Sequence, residues 1–281
     1  MREIVANKVS EIVSCLFREA CYHLPEDVLT ALKQAREREE SPIARDALDR
    51  MLENVEISSK ERIPLCQDTG AAVVFLELGQ EVRIIGGDLY TAVDEGVRQG
   101  YIQGYLRKSM VSQPFSARVN TKDNTPAIIY IDIVPGDKLK IVAMPKGAGA
   151  ENMAKLAMLP PGSGRQGVID FVVASVDEAG SNPCPPVIVG LGIGGTAEKA
   201  VMLAKRALLR KVGEPHPDPE VAELEWEILR QVNNLGIGAM GYGGIVTALA
   251  VHAEVFPCHI ASLPVAVNLQ CWCARHGEAI L

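Results

Sequence analysis

The chain has 281 residues, 48% hydrophobic and 22% charged, with a formal net charge of −7, so it can bury a substantial core, and its acidic balance with no Lys/Arg cluster excludes a nucleic-acid binder. No stretch reaches the roughly 18 uncharged apolar residues of a membrane helix. The N-terminus MREIVANKVSEIVSCLF interrupts its apolar positions with charges, unlike a signal peptide, so the expected compartment is the cytoplasm.

Residues 1 to about 60 read as helical throughout, with apolar positions at helical spacing over 9–24, Pro25 opening a second helix, and Ser41 with Pro42 forming an N-cap and first turn. This helical preface leads into PLCQDTG, residues 64–70, and then into AAVVFLEL, a strand candidate. Residues 88–108 predict an amphipathic helix ending in Arg107 and Lys108. AIIYIDIV and KLKIVAMP flank Pro135, Gly136 and Asp137, which predicts a hairpin running into the glycine-rich KGAGAEN. Residues 167–178 read as helix, PVIVG as a short buried strand and 196–211 as helix. Asp218 with Pro219 opens a further helix that Gly236 stops. A glycine-rich stretch, 236–244, precedes the strand-like SLPVAVNLQ. With no repeat and no low-complexity linker, the expected fold is a single α+β domain of mixed α/β character over residues 1–281, its functional cysteines held by loops.

The sharpest formal motif is GLGIGG, where Gly190, Gly192 and Gly195 meet the dinucleotide fingerprint between a strand and a helix. VGEPHPDPE and a further helix follow, which leaves no second parallel strand to present an acidic residue to a ribose. The alternatives are a tight strand-to-helix turn or a helix start facing some other anion. A nucleotide-binding or non-catalytic scaffold module is the competing function from another class.

Seven cysteines, an odd number spread over a large chain, read as thiols rather than a disulfide framework. Cys15 and Cys21 fall in the helical preface and read as core. Cys66, Cys184 and Cys271 each sit where a helix or strand gives way to a loop, with prolines fixing the loop beside Cys184. No pair has zinc-finger spacing, and the close cysteines of an electron-transfer ferredoxin are absent. Three thiolates from distant loops instead resemble the ligands of an iron–sulfur cluster with one iron left open. Around them stand Gln67, Asp68, Arg107, Lys146 and His259, types suited to holding a carboxylate or moving a proton. The bland readings are that Arg107 complements a helix dipole and His259 is structural.

Taken in order, PLCQDTG, YLRKSMV, PKGAGAENM, NPCPPVIVGLGIGGTAEKA and HIASLPVAVNLQC resemble the α subunit of the two-subunit class I, iron–sulfur fumarate hydratases. The resemblance implies a 4Fe-4S cluster on Cys66, Cys184 and Cys271, its unligated iron acting on substrate as a Lewis acid. It places Gln67, Arg107, Gly147, Gly149 and His259 around a dicarboxylate substrate and gives Asp68 a part in proton handling. It also implies a separate β subunit carrying further substrate-binding groups, and a higher oligomer. The L-tartrate dehydratases share CQDTG and CPP and are the nearest alternative. LRKSMV, KGAGAEN and HIASLPVAVNLQC resemble the fumarase version. Two positions depart from the family pattern: Ala148 replaces a glycine, and Trp272-Cys273 replaces His-Ala after the ligand cysteine. On a continued strand Cys273 would share a face with Cys271.

Overall fold

The computed structural model describes residues 1–281. In chain order the main elements are β1 (Arg2–Val5), α1 (Ala6–Tyr22), α2 (Glu26–Arg38), α3 (Pro42–Glu61), β2 (Ala71–Gly79), β3 (Val82–Ile85), α4 (Leu89–Gln103), β4 (Ile128–Val134), β5 (Leu139–Lys146), α5 (Ala148–Glu151), β6 (Lys155–Leu159), α6 (Gly164–Ala179), β7 (Val187–Gly194), α7 (Ala197–Ala207), α8 (Pro219–Asn233), β8 (Ala248–Phe256), β9 (Leu263–Gln270) and β10 (Gly277–Ile280). The fold is α+β, as expected. No helix is long and apolar enough to cross a membrane. The N-terminal stretch is not wholly helical, because Arg2–Val5 pairs in parallel with β3 before α1 begins. The chain forms two compact units, one made of Met1–Pro25, Asn54–Ala148 and Arg275–Leu281, the other of Glu26–Glu53 and Gly149–Ala274.

In the first unit the sheet runs β10-β5-β2-β4. The expected hairpin does not form. Both of its strands exist, but β2 lies between them, parallel to β4 and antiparallel to β5. The Pro-Gly-Asp turn crosses the end of β2, where Gly79 N–H donates to Lys138 O and Gln80 N–H to Val134 O, both at 2.9 Å. Such a crossing satisfies turn groups that a hairpin would have paired locally. Helices α1 and α4 pack together, and Val9, Val13, Phe17, Val93, Val97 and Tyr101 share a core with Val74, Leu76 and Ile141 of the sheet. Burying each such aliphatic side chain contributes about 1.5–3 kcal/mol. Gly96 makes the helix contact close, since a Cβ there would lie 2.6 Å from Val13 Cβ. Asp88 caps α4, accepting from Tyr90 and Thr91 N–H.

In the second unit the sheet order is β6-β9-β7-β8. Alternation along β7 sorts its two faces. Val187, Val189 and Leu191 enter a core with Val168 and Val172 of α6 and Val221, Ile228 and Val232 of α8. Gly190 and Gly192 face α7, where added Cβ atoms would lie 2.1 Å from Ala204 O and 1.9 Å from Ala200 O. The glycines of GLGIGG therefore let a helix lie against its strand. The expected lack of a second parallel strand is corrected: β8 pairs with β7 in parallel, with Glu254 near its end, after α8 has intervened. At Ala253 the outer edge of β8 is closed by Glu225, which accepts Ala253 N–H at 2.7 Å, and Arg210, which donates to Ala253 O at 3.4 Å and pairs with Glu225.

Candidate active site

The CQDTG loop is fastened at both ends. Before it, buried Leu65 donates its N–H to Cys21 O at 2.9 Å and accepts from Asn54 Nδ2 at 2.7 Å. After it, Gly70 adopts φ +72° and presses on the end of β5, where a Cβ would lie 2.4 Å from the Lys146 carbonyl carbon, so only glycine fits. Three successive carbonyls are gripped in between. Asp68 O accepts from Arg275 Nη2 at 2.8 Å, Thr69 O from Tyr101 Oη at 2.7 Å, and Gly70 O from Tyr101 Oη and Asn124 Nδ2, both at 3.1 Å. All three donor residues are buried.

Cys66 and Asp68 stay half-buried while Gln67 is exposed. Asp68 N–H points at Cys66 Sγ at 3.4 Å. Both oxygens of the Asp68 carboxylate are held by backbone donors, Oδ1 by Gly70 N–H at 3.1 Å and Oδ2 by Ala148 N–H at 2.7 Å. Gly147 makes this approach possible, because a Cβ there would lie 3.2 Å from Asp68 Oδ2. The next residue, Ala148, is exposed, so its methyl costs nothing and the departure from glycine at that position is explained.

Arg107 is not at a helix end. Helix α4 stops at Gln103, capped by Gly104, and Tyr105 turns into the left-handed region at φ +52°. The dipole reading of Arg107 therefore fails. Arg107 is exposed, and its carbonyl accepts from Thr69 Oγ1 at 3.0 Å, tying it to the CQDTG loop. The first unit thus gathers Cys66, Gln67, Asp68, Arg107 and Gly147.

The second unit holds Gly149, Cys184, His259 and Cys271. Gly149 is exposed and leaves 3.2 Å between a Cβ position and Asn182 O. Glu151, two residues on, accepts from buried Lys205 Nζ at 2.5 Å and from Asn268 Nδ2 at 3.1 Å, which moors this stretch to α7 and β9. Cys184 has φ +55°, and its carbonyl accepts Trp272 N–H at 3.2 Å, so the loops bearing Cys184 and Cys271 are joined. Strand β9 ends at Gln270, so Cys273 does not continue it. Cys273 is 1% exposed and Cys271 half-buried. His259 is exposed in the loop after β8, and its Nδ1 accepts Ala261 N–H at 3.1 Å, which leaves Nε2 as the donor of the neutral ring.

The donor set suits an iron–sulfur cluster. Cys66, Cys184 and Cys271 are half-buried thiols on loops, whereas Cys21 and Cys273 are buried and Cys15, expected in the core, is exposed on α1. Burial pushes the Cys21 thiol up to about 11, with the Arg275 charge opposing and Cys66 adding to the rise, so Cys21 is a poor ligand. Neither unit by itself gathers three His, Cys, Asp or Glu side chains into a metal-binding set. Sequence reasoning missed Tyr101, Asn124 and Arg275, which act through carbonyls 31 to 207 positions away. Only Tyr101, within the amphipathic stretch 88–108, carried a trace of that role; Asn124 and Arg275 stand in irregular polar sequence.

Residues 10–280 match the family model described as Fumarate hydratase (Fumerase). The chain belongs to the fumarate hydratase family and is a hydro-lyase, and the resemblance read from its five motifs holds across its length. Among similar proteins, one from Methanocaldococcus jannaschii, provisionally named an L(+)-tartrate dehydratase subunit alpha, is 45% identical over 277 residues, covering 96% of each chain. The L(+)-tartrate dehydratase subunit alpha of Escherichia coli O157:H7 is 33% identical over 285 residues, covering all of this chain and 93% of the relative. That of Shigella sonnei is 32% identical with the same coverage.

Proposed function

We infer that the chain is the cluster-bearing α subunit of a cytoplasmic two-subunit hydro-lyase that reversibly hydrates fumarate to L-malate. The observation that carries this reading is the CQDTG loop, which offers an accessible thiol and a rigidly held carboxylate two residues apart. Cys66, Cys184 and Cys271 are the ligands of a 4Fe-4S cluster, which when bound supplies a Lewis-acidic iron without a protein ligand.

The chain's own residues do the rest. Gln67 in the loop and Arg107 beside it, both exposed, hold one substrate carboxylate, the arginine through paired N–H donors. Ala148 N–H is committed to Asp68, and Gly147 and Gly149 provide the glycine loop's contacts to the substrate. His259 orients the substrate through Nε2. Asp68 handles the proton that is added to one alkene carbon as hydroxide adds to the other. Its two backbone contacts fix its direction, so orientation is established before the reaction begins. The β subunit supplies the groups this chain lacks, and the relatives' names as alpha subunits support that division.

A second reading is dehydration of L(+)-tartrate, favoured by the names of the similar proteins. Anaerobically reconstituted chain, assayed with and without its β partner on fumarate, L-malate and L(+)-tartrate, decides between them. Fumarate hydration that needs both chains is expected. Turnover of tartrate alone overturns the substrate, and full turnover by the isolated chain overturns the division of labour. Packing against α7 accounts for Gly190 and Gly192 without a nucleotide, which favours the hydro-lyase reading over the nucleotide-binding alternative.

A further inference from the structure

Arg275 follows Cys271 by four residues, in CARH, and no motif includes it. It is 1% exposed and heads the fully buried side chains by size. Burying a guanidinium is costly unless it is well engaged, so its place calls for a reason. Its Nη2 donates to the carbonyl of Asp68 at 2.8 Å, at the centre of the CQDTG loop. The peptide on the other side of Asp68 directs its N–H at Cys66 Sγ. One guanidinium therefore fixes the residue whose backbone faces the thiol and whose side chain faces the glycine loop. Tyr101 and Asn124 hold only the next two carbonyls, nearer the rigid start of β2. The charge also reaches the ground beneath the loop, where it opposes the rise of the buried Cys21 thiol.

We propose that Arg275 is a positioning residue of the hydro-lyase site, holding Asp68 through its main-chain carbonyl so that the Cys66 thiol and the Asp68 carboxylate keep their mutual geometry. Lysine at 275 keeps the charge but loses the planar fork, and glutamine keeps a donor but loses the charge. The role in turnover rests on the function proposed above; the grip on the loop does not.

The test therefore has two parts. In the folded, cluster-free chain, hydrogen exchange is followed at the Gly70 and Ala148 amides, the donors to Asp68, in wild type, Arg275→Lys and Arg275→Gln. Exchange at least tenfold faster at these two amides, with the amides of β2 and β5 unchanged, is expected. In the reconstituted enzyme with its β partner, kcat at least tenfold lower at nearly unchanged KM and unchanged iron content is expected. Wild-type exchange and kcat in both variants would overturn the role. So would variants that do not fold at all, since Arg275 would then be a scaffold residue. A wild-type chain that takes up neither iron nor sulfide defeats the cluster reading instead, and the exchange data still judge Arg275.

Discussion

His252 shows how burial can make a side chain matter to the whole unit. It is 2% exposed on β8, and burial, with a lesser contribution from the Arg210 charge, depresses its imidazole from 6.5 to about 4. Between these values the unfolded chain binds a proton that the folded chain refuses. Stability is therefore full above about pH 6.5 and falls as pH drops toward 4, by on the order of 3 kcal/mol. Urea midpoints of the cluster-free chain measured across this range should show that slope, and His252→Gln should flatten it. An equal slope in the variant would place the pH dependence elsewhere. At this scale Cys66, Gln67 and Asp68 stood out as candidates because a thiol, an amide and a carboxylate side by side are unusual for a turn, whereas Arg107 entered through the family resemblance. Tyr101, Asn124 and Arg275 did not stand out, because a residue that acts by gripping a distant carbonyl looks like any other polar side chain until the chain is folded.

At the scale of elements, periodicity identified most helices and several strands but not their partners. β4 and β5 were both readable as strands, yet a short Pro-Gly-Asp turn implied a hairpin that β2 occupies from within. Local spacing cannot report a strand inserted from 60 residues earlier in the chain. α4 was read four residues too long past Gly104, since Leu106 continues the apolar pattern while the backbone has already turned. β8 was missed: its ALAVHAEVF is as compatible with a helix as with a strand. GLGIGG was legible as a strand-to-helix turn, and close packing on α7 explains two of its glycines. Gly192→Ala places a methyl against Ala200 O and should destabilise the cluster-free chain by about 1–3 kcal/mol, read as a lower urea midpoint at unchanged slope. A neutral outcome would mean that α7 does not depend on this close contact.

For the whole molecule, composition and charge argued against a nucleic-acid binder, no helix is long and apolar enough to cross a membrane, and the order of five motifs indicated the family that the comparison with known proteins shows. The assembly of the compact units was out of reach. The first unit is made from three separated segments, with its last strand, β10, coming from the C-terminal residues and pairing with β5. Nothing local in GEAI announces that pairing. The central claim is the cluster on Cys66, Cys184 and Cys271, and it is tested most directly by iron and acid-labile sulfide in the chain purified anaerobically. About four of each per chain are expected, lost or sharply reduced in Cys66→Ser, Cys184→Ser and Cys271→Ser but retained in Cys273→Ser. A folded wild-type chain that holds neither iron nor sulfide after reconstitution, or a loss confined to Cys273→Ser, would contradict it.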